Sequence, residues 1–267
     1  MNTGSEKKEA LSMIHNEFDS DCRAIINPEE HIRPVEGFPE ICIGIFSRRM
    51  VEWILETYGG EKISRFGCCI GDIPIYKVKA FDTEVAVFMP LVGGPGAAST
   101  IEESIPKGGK CFVYFGAAGV LNKEIVHGKL LVPTAAVRDE GLSYHYLPPA
   151  DEVELNPESV AACREALEAL GFPYAQGKTW TTDAFWRETR GKLERRREQG
   201  CVSVEMECAS LAAVAQFRGV PFAQFFYATD TLDGEGWDGG ILHEKGAGLE
   251  GICFRAAVEI GRRMAGA

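Results

Sequence analysis

The sequence contains no apolar run near the roughly 18 residues that a membrane-spanning helix needs, so no membrane partner is expected. Residues 1–21 are polar and charged and lack the short apolar core of a secretory leader. Basic residues are outnumbered, 28 Lys and Arg against 39 Asp and Glu, for a formal net charge of −11. Such a surface repels phosphodiester backbones, so nucleic acid is not expected as a partner, although a few local arginines can still hold a small anion. The nine cysteines include no CxxC pair. Cys42 lies in Ile41-Cys42-Ile43 and Cys111 precedes Phe112-Val113, which reads as buried, reduced thiols in a cytoplasmic protein without a metal site. Neither a Walker A loop nor a GxGxxG fingerprint occurs. No repeat or low-complexity linker divides the chain, so a single domain over 1–267 is expected, with proline-bearing residues 1–40 as an irregular extension.

What is present is an alternation of short apolar runs and helical patterns. Hydrophobic residues make up 45% of the 267, and a chain of this length buries about three quarters of its unfolded surface. Strands are expected at Ile41 to Phe46, 73–79, 84–92, Lys110 to Phe115, Leu130 to Val132, Val202 to Val204 and Phe222 to Ala228. Ser47 offers an N-cap to a helix with Met50, Val51, Ile54, Leu55 and Tyr58 on one face, stopped by Gly59-Gly60. Further helices are expected from about Ala97, over 157–170 behind Asn156-Pro157, over Glu205 to Phe217, and over 247–264. Continuous apolar strands alternating with helices predict an α/β fold with a largely parallel sheet covered on both faces. Ligands in such folds sit at the carboxyl ends of strands.

Four of those ends, and one loop histidine, carry candidate chemistry. Gly93-Gly94-Pro95-Gly96 joins a strand to a helix, where bare backbone N–H groups and the helix terminus suit an anion, although a plain tight turn fits equally. Ser47-Arg48-Arg49 places two guanidinium groups in a first helical turn; these are either phosphate ligands or solvated charges. Glu205-Met206-Glu207 precedes a helix, where a carboxylate could accept from vicinal sugar hydroxyls or simply favour the helix start. Thr229-Asp230 ends a buried strand, positioned for general acid work or for a turn. His145, in Tyr144-His145-Tyr146, reads as a packed loop histidine or a hydroxyl contact.

Taken in order, Val92-Gly93-Gly94-Pro95, Phe115-Gly116-Ala117-Ala118-Gly119, Ala136-Val137-Arg138-Asp139-Glu140-Gly141, Thr182-Asp183-Ala184-Phe185 and Glu205-Met206-Glu207 resemble the uridine phosphorylase and purine nucleoside phosphorylase family. The resemblance implies a three-layer αβα sandwich around a mixed, partly barrel-like central sheet. It implies a homo-oligomer, a dimer or a trimer of dimers, with active sites shared between subunits. It places Gly44, Arg48 (or Arg49, one position on) and Gly94 at phosphate, with Lys77 lent across a subunit interface. Met206 and Glu207 fall at the ribose, Phe185, Gly119 and Thr229 at the base, and Asp230 at the acid that protonates the departing base.

The implied activity is phosphorolysis of a nucleoside, a purine nucleoside first with uridine kept open, with inorganic phosphate as co-substrate and no metal or organic cofactor. Tyr114 and Ala117 depart from the pattern, standing where the family has a phosphate-binding arginine and a threonine or serine. The Gln and Arg that read uracil would fall near Thr189 and Gly191, leaving Arg187 or Arg190 as substitutes. Two alternatives therefore stay open: a nucleosidase using water, and a non-catalytic nucleoside-binding member. The roles of His31 and His145 at the 5′ hydroxyl also stay open.

Overall fold

The computed structural model describes residues 14–126, 129–240 and 248–266. In chain order the strands are β1 (Ile41–Ile45), β2 (Glu61–Cys68), β3 (Gly71–Ala80), β4 (Thr83–Phe88), β5 (Cys111–Val120), β6 (Leu130–Asp139), β7 (Glu152–Glu154), β8 (Tyr174–Thr182), β9 (Cys201–Glu205) and β10 (Phe222–Thr231). The helices are α1 (Pro28–His31), α2 (Arg48–Tyr58), α3 (Gly94–Lys107), α4 (Lys123–Val126), α5 (Pro157–Leu170), α6 (Arg190–Glu198), α7 (Cys208–Arg218) and α8 (Glu250–Met264).

One sheet runs β10-β6-β8-β9-β5-β1-β4-β3-β2, and an extra β10–β5 pairing closes its first five strands into a barrel. β1 pairs parallel with β4 and β5, β10 with β5, and β8 with β6 and β9. The β2–β3–β4 meander, β10–β6, β5–β9 and β6–β7 are antiparallel. The sheet is thus mixed rather than largely parallel, because β2 and β7, which carry no clear strand pattern in the sequence, pair antiparallel with β3 and β6. β8 was likewise hidden in the sequence, its pattern broken by Gln176, Gly177 and Lys178.

Side-chain alternation builds two cores from strands that read as unbroken apolar runs, since a sheet covered on both faces needs apolar residues at every position. Cys42, Phe112 and Tyr114 face the layer of α3 and α7. Ile41, Ile43, Ile45, Val113 and Phe115 face the layer of α2, α5 and α8. This is the three-layer αβα sandwich with a partly barrel-like sheet that the resemblance implied.

Local chemistry sets the helix ends. Ser47 Oγ accepts from Met50 N at 3.3 Å, and Gly59 ends α2 with φ 73°. Asn156 Oδ1 accepts from Glu158 N at 2.8 Å and Ser159 N at 3.4 Å at the start of α5. Asn156→Ala is expected to cost about 1 kcal/mol of stability, measured by urea unfolding; an unchanged midpoint would show the cap to be idle.

Several boundaries differ from expectation. β4 ends at Phe88 rather than continuing to residue 92, where Pro90 cannot donate to a ladder. β5 continues through Gly116–Gly119 to Val120, since it must reach β9 to close the barrel. β6 extends to Asp139, β10 includes Thr229 and Asp230, α3 starts at Gly94, and α7 starts at Cys208 rather than Glu205. The closing helix begins at Glu250; residue 247 lies outside the described residues. Part of the N-terminal extension docks on the sandwich: Val35 N–H donates to Lys107 O, and Phe38 is buried. All nine cysteines are free, but Cys22 and Cys69 are exposed, which corrects the reading of the thiols as buried for those two. Among the described residues no helix is long and apolar enough to cross a membrane.

Candidate active site

Strand register assembles the site around β5. Gly119 sits opposite Asp230 of β10 on one side and Val204 of β9 on the other. With strands about 4.8 Å apart, the ends of β9 and β10 are held about 10 Å from each other. A Cβ on Gly119 would lie 3.0 Å from Val204 and 3.4 Å from Asp230 Oδ2, so a side chain there would crowd the carboxylate.

Glu207 leaves β9 at the N-cap position of α7 yet makes no cap bond with its own helix. Its Oε1 instead accepts from Gly93 N at 2.7 Å. The glycine turn is therefore used partly by the protein itself: Gly93, with φ 93°, gives its amide to Glu207. Gly94 is buried, and a Cβ on it would come 2.9 Å from Ser210 Cβ and closer to its hydroxyl. Beneath Glu207, the buried Glu205 accepts from Thr181 Oγ1 at 2.6 Å and from the amides of Glu207 and Cys208 at 2.7 Å. Burial raises both carboxyl pKa values; for Glu207 the neighbouring Glu205 charge raises it further and the Gly93 amide opposes. Met206 is half-buried beside them. The motif was visible in sequence, but the role of Glu205 as an anchor of the Glu207 backbone was not.

On the opposite side of Thr229, a cleft of about 390 Å³ is lined by Ser47, Arg48, Arg49, Ala117, Tyr227 and Thr229, among others. Arg48 is exposed and makes no ion pair among the described residues. Arg49 Nε pairs with the buried Glu250 at 3.0 Å, which ties it to α8. Gly44 is absent from this lining. It is buried in β1 beneath Tyr114, whose hydroxyl lies 2.7 Å from Thr100 Oγ1. Tyr114 thus points into the α3 layer and away from the cleft. Lys77 is half-buried on β3, its Nζ beside Gly37, and does not line the cleft of its own chain.

The base side is formed by Asp230 and its neighbours. Asp230 Oδ1 accepts from Thr229 Oγ1 at 2.9 Å and Oδ2 from Trp237 Nε1 at 2.8 Å. Phe185 is 49% exposed and lies 4.7 Å from the Trp186 ring. Glu188, three residues on, was passed over in the sequence. Burial and then the charge of Asp230 push its carboxyl up to about 7. It shares with Arg190, Leu193, Leu232, Gly236 and Trp237 a small cavity of about 120 Å³. Arg190 donates to Glu235 O at 2.8 Å.

The histidines divide differently from expectation. His31 and His145 are exposed, whereas His15, not singled out in sequence, packs edge-on to Tyr144 at 4.8 Å. The Arg138 guanidinium lies over the Tyr144 ring, 4.0 Å from its centroid. Among the described residues no group of three or more His, Cys, Asp or Glu side chains is arranged to hold a metal.

Comparison with known proteins gives a consistent picture. The family model of the phosphorylase superfamily matches residues 41–246. Uridine phosphorylase of Escherichia coli is 28% identical over 143 residues, 48% of this chain and 56% of that enzyme. Uridine phosphorylase of Thermococcus kodakarensis is 31% identical over 149 residues, 51% and 54% of the two chains. Guanosine phosphorylase of Halorubrum lacusprofundi is 26% identical over 142 residues, 52% and 57%. The chain spans about half the length of these curated relatives. A crystal structure of AMP nucleosidase from Bacteroides thetaiotaomicron superposes with a TM-score of 0.69, covering 85% of this chain and 89% of that one at 19% identity, a likeness of fold.

Proposed function

The chain belongs to the phosphorylase superfamily, and from that premise we propose that it cleaves the N-glycosidic bond of a nucleoside with inorganic phosphate, releasing the free base and ribose 1-phosphate. A purine nucleoside is the first substrate class, and the reaction uses no metal or organic cofactor. The observation that carries this reading is the position of Arg48. An exposed guanidinium with no ion-pair partner among the described residues lines a cleft that ends on Thr229, next to Asp230. An anion held there lies one residue along β10 from Asp230, in a lining that also contains Glu52.

The steps follow from the side chains. Glu207, anchored by Gly93 N–H, accepts from the 2′ and 3′ hydroxyls, and Met206 packs on the ribose. Phe185 lies along the base. The C1′–N bond stretches first and leaves an oxocarbenium-like sugar, which the phosphate charge stabilises before attack. In a homo-oligomer, Lys77 of a neighbouring copy is the proposed second cation at the phosphate.

Hydrolysis is the second reading, favoured by one observation: Ala117 lines the cleft without a hydroxyl, and Tyr114 turns away from it. Base release measured with and without phosphate separates the two. Ribose 1-phosphate formed only when phosphate is present supports phosphorolysis; equal rates without it defeat it. Arg48→Ala is expected to raise KM for phosphate by on the order of 10- to 100-fold, the worth of one charge-assisted bond. An unchanged phosphate KM would remove Arg48 from the site.

A further inference from the structure

We propose that Glu140 is a positioning residue for the sugar carboxylate: by clamping the glycine turn against α7 it fixes Glu207, and with it the preference for a substrate that carries both ribose hydroxyls. This rests on the nucleoside-cleaving reading above and deepens its sugar side.

Glu140 follows the end of β6, is buried, and lies outside the lining of the Arg48 cleft. A buried carboxylate is costly unless donors satisfy it, and three do so here. Its Oε2 accepts from Ser143 N at 3.0 Å and from Ser210 Oγ at 2.6 Å, and its Oε1 accepts from Ser143 Oγ. Arg138 Nε donates to that same Ser143 Oγ at 2.8 Å, so the guanidinium supports the carboxylate through one hydroxyl. Both serines are fully buried. One carboxylate therefore joins the short helical turn Leu142–His145 to the first turn of α7, where Ser210 lies three residues beyond Glu207.

The glycine turn is seated between those two walls. A Cβ on Gly94 would come 2.9 Å from Ser210 Cβ, closer still to Ser210 Oγ, and 3.7 Å from Leu142 Cβ. The Ser210 hydroxyl, whose direction Glu140 sets, thus fills the space beside Gly94 that a side chain would take. Gly93, the residue before, gives its amide to Glu207 Oε1 at 2.7 Å. The contacts run in one line through Glu140, Ser210, Gly94, Gly93 and Glu207. Carboxylates stand at both ends, and the second of them is the one placed at the sugar. Asp183 Oδ2 holds the same loop from the end of β8, accepting from Gly141 N at 3.0 Å.

Without the Glu140 charge, the Ser210 hydroxyl and the Ser143 amide lose their acceptor where no solvent replaces it. The wall behind Gly94 then shifts, and the Gly93 amide with it. Glu207 loses its alignment rather than its charge, and sugar hydroxyls are held only by a carboxylate in the right place.

The test measures kcat/KM in wild type, Glu140→Gln, Ser210→Ala, Glu207→Gln and the corresponding double variants. One substrate is the ribonucleoside cleaved fastest among inosine, guanosine, adenosine and uridine. The other is its 2′,3′-dideoxy counterpart, which lacks both hydroxyls that Glu207 accepts from. Glu140→Gln is expected to lower kcat/KM on the ribonucleoside by about 10- to 100-fold, and on the dideoxynucleoside by less than about threefold. Ser210→Ala removes only the bond to α7 and is expected to cost about 3- to 10-fold with the same selectivity. It carries the test should Glu140→Gln fail to fold. In the Glu207→Gln background either substitution is expected to cost less than about threefold more, because the group it positions is already gone. That coupling is read on the ribonucleoside alone and does not depend on turnover of the poorer substrate. Equal losses on both substrates, or losses that multiply in the double variants, would mark Glu140 as a plain structural residue and overturn the assignment. Wild-type kcat/KM in both single variants would overturn it as well. Wild type inert on all four ribonucleosides fails before any variant is made and takes the underlying reading down with it.

Discussion

Glu207→Gln is expected to lower kcat/KM for the nucleoside by on the order of 10²–10⁴-fold, since two charge-assisted bonds at about 1.5–3 kcal/mol each are weakened or lost. The carboxylate is the form that accepts from two hydroxyls. Burial and Glu205 raise its pKa, so in wild type the apparent nucleoside affinity should fall as the pH drops through that raised range. The same carboxyl makes an opposite prediction for stability. Its pKa is raised on folding, so the folded protein holds a proton that the unfolded chain releases above the ordinary glutamate value of 4.5. Its contribution is therefore complete below 4.5 and is lost as the pH rises through the raised folded value. Glutamine does not titrate. The variant should gain stability relative to wild type as the pH rises from 5 towards about 8.5, while remaining the poorer catalyst. Urea unfolding at the two ends of that range checks the sign. A difference that shrinks with pH, or a variant with wild-type turnover, would show that Glu207 is neither desolvated nor at the ribose.

Gly44→Ala should be the most destabilising of the small substitutions considered. A Cβ there would approach Tyr114 Cζ to 2.9 Å and Cδ1 and Cε1 more closely. The ring cannot yield cheaply. It is fully buried, within 6.2 Å of the Phe46, Phe88 and Phe222 rings, and tethered to Thr100. Overpacking of this kind costs about 1–3 kcal/mol, or more where backbone strands must part. Trimming the ring as well, in Gly44→Ala with Tyr114→Leu, should recover part of the loss, a coupling that a double-mutant cycle reads. The phosphate KM of the folded fraction should not change. A raised phosphate KM at wild-type stability would return Gly44 to the phosphate site and discard the packing explanation.

These two residues mark how far the sequence could be read. Glu207 was legible because a Glu-Met-Glu group before a helix is informative in its order among the other motifs. Its bond to Gly93 was not, since 114 residues separate the partners. Gly44 was legible as a required glycine, but its packing reason was not: a glycine that approaches an anion and one that yields to a ring look alike in one dimension, and the Tyr114 ring over it emerges only from the packing. Glu188 gave no local signal. It stands in an exposed, charged stretch, and only the return of β10 and the Trp237 turn brings Asp230 and an indole to it. Tyr114 was noticed as a departure, but its burial against Thr100 emerged only from the packing of α3.

By itself, the sequence determined the α/β class, the caps of α2 and α5, the apolar strands β1, β5 and β10, and the order of motifs that identifies the family. Each of these depends on neighbours within a few residues or on a linear pattern. The tertiary structure alone decided that β5 runs on to close a barrel and that Gly93 serves Glu207. It also decided that Arg48 rather than Gly44 lines the cleft, and that Trp237 donates to Asp230. Those outcomes depend on which strands lie side by side, and strand order is set by burying both faces of a sheet at once, a condition that no single segment carries.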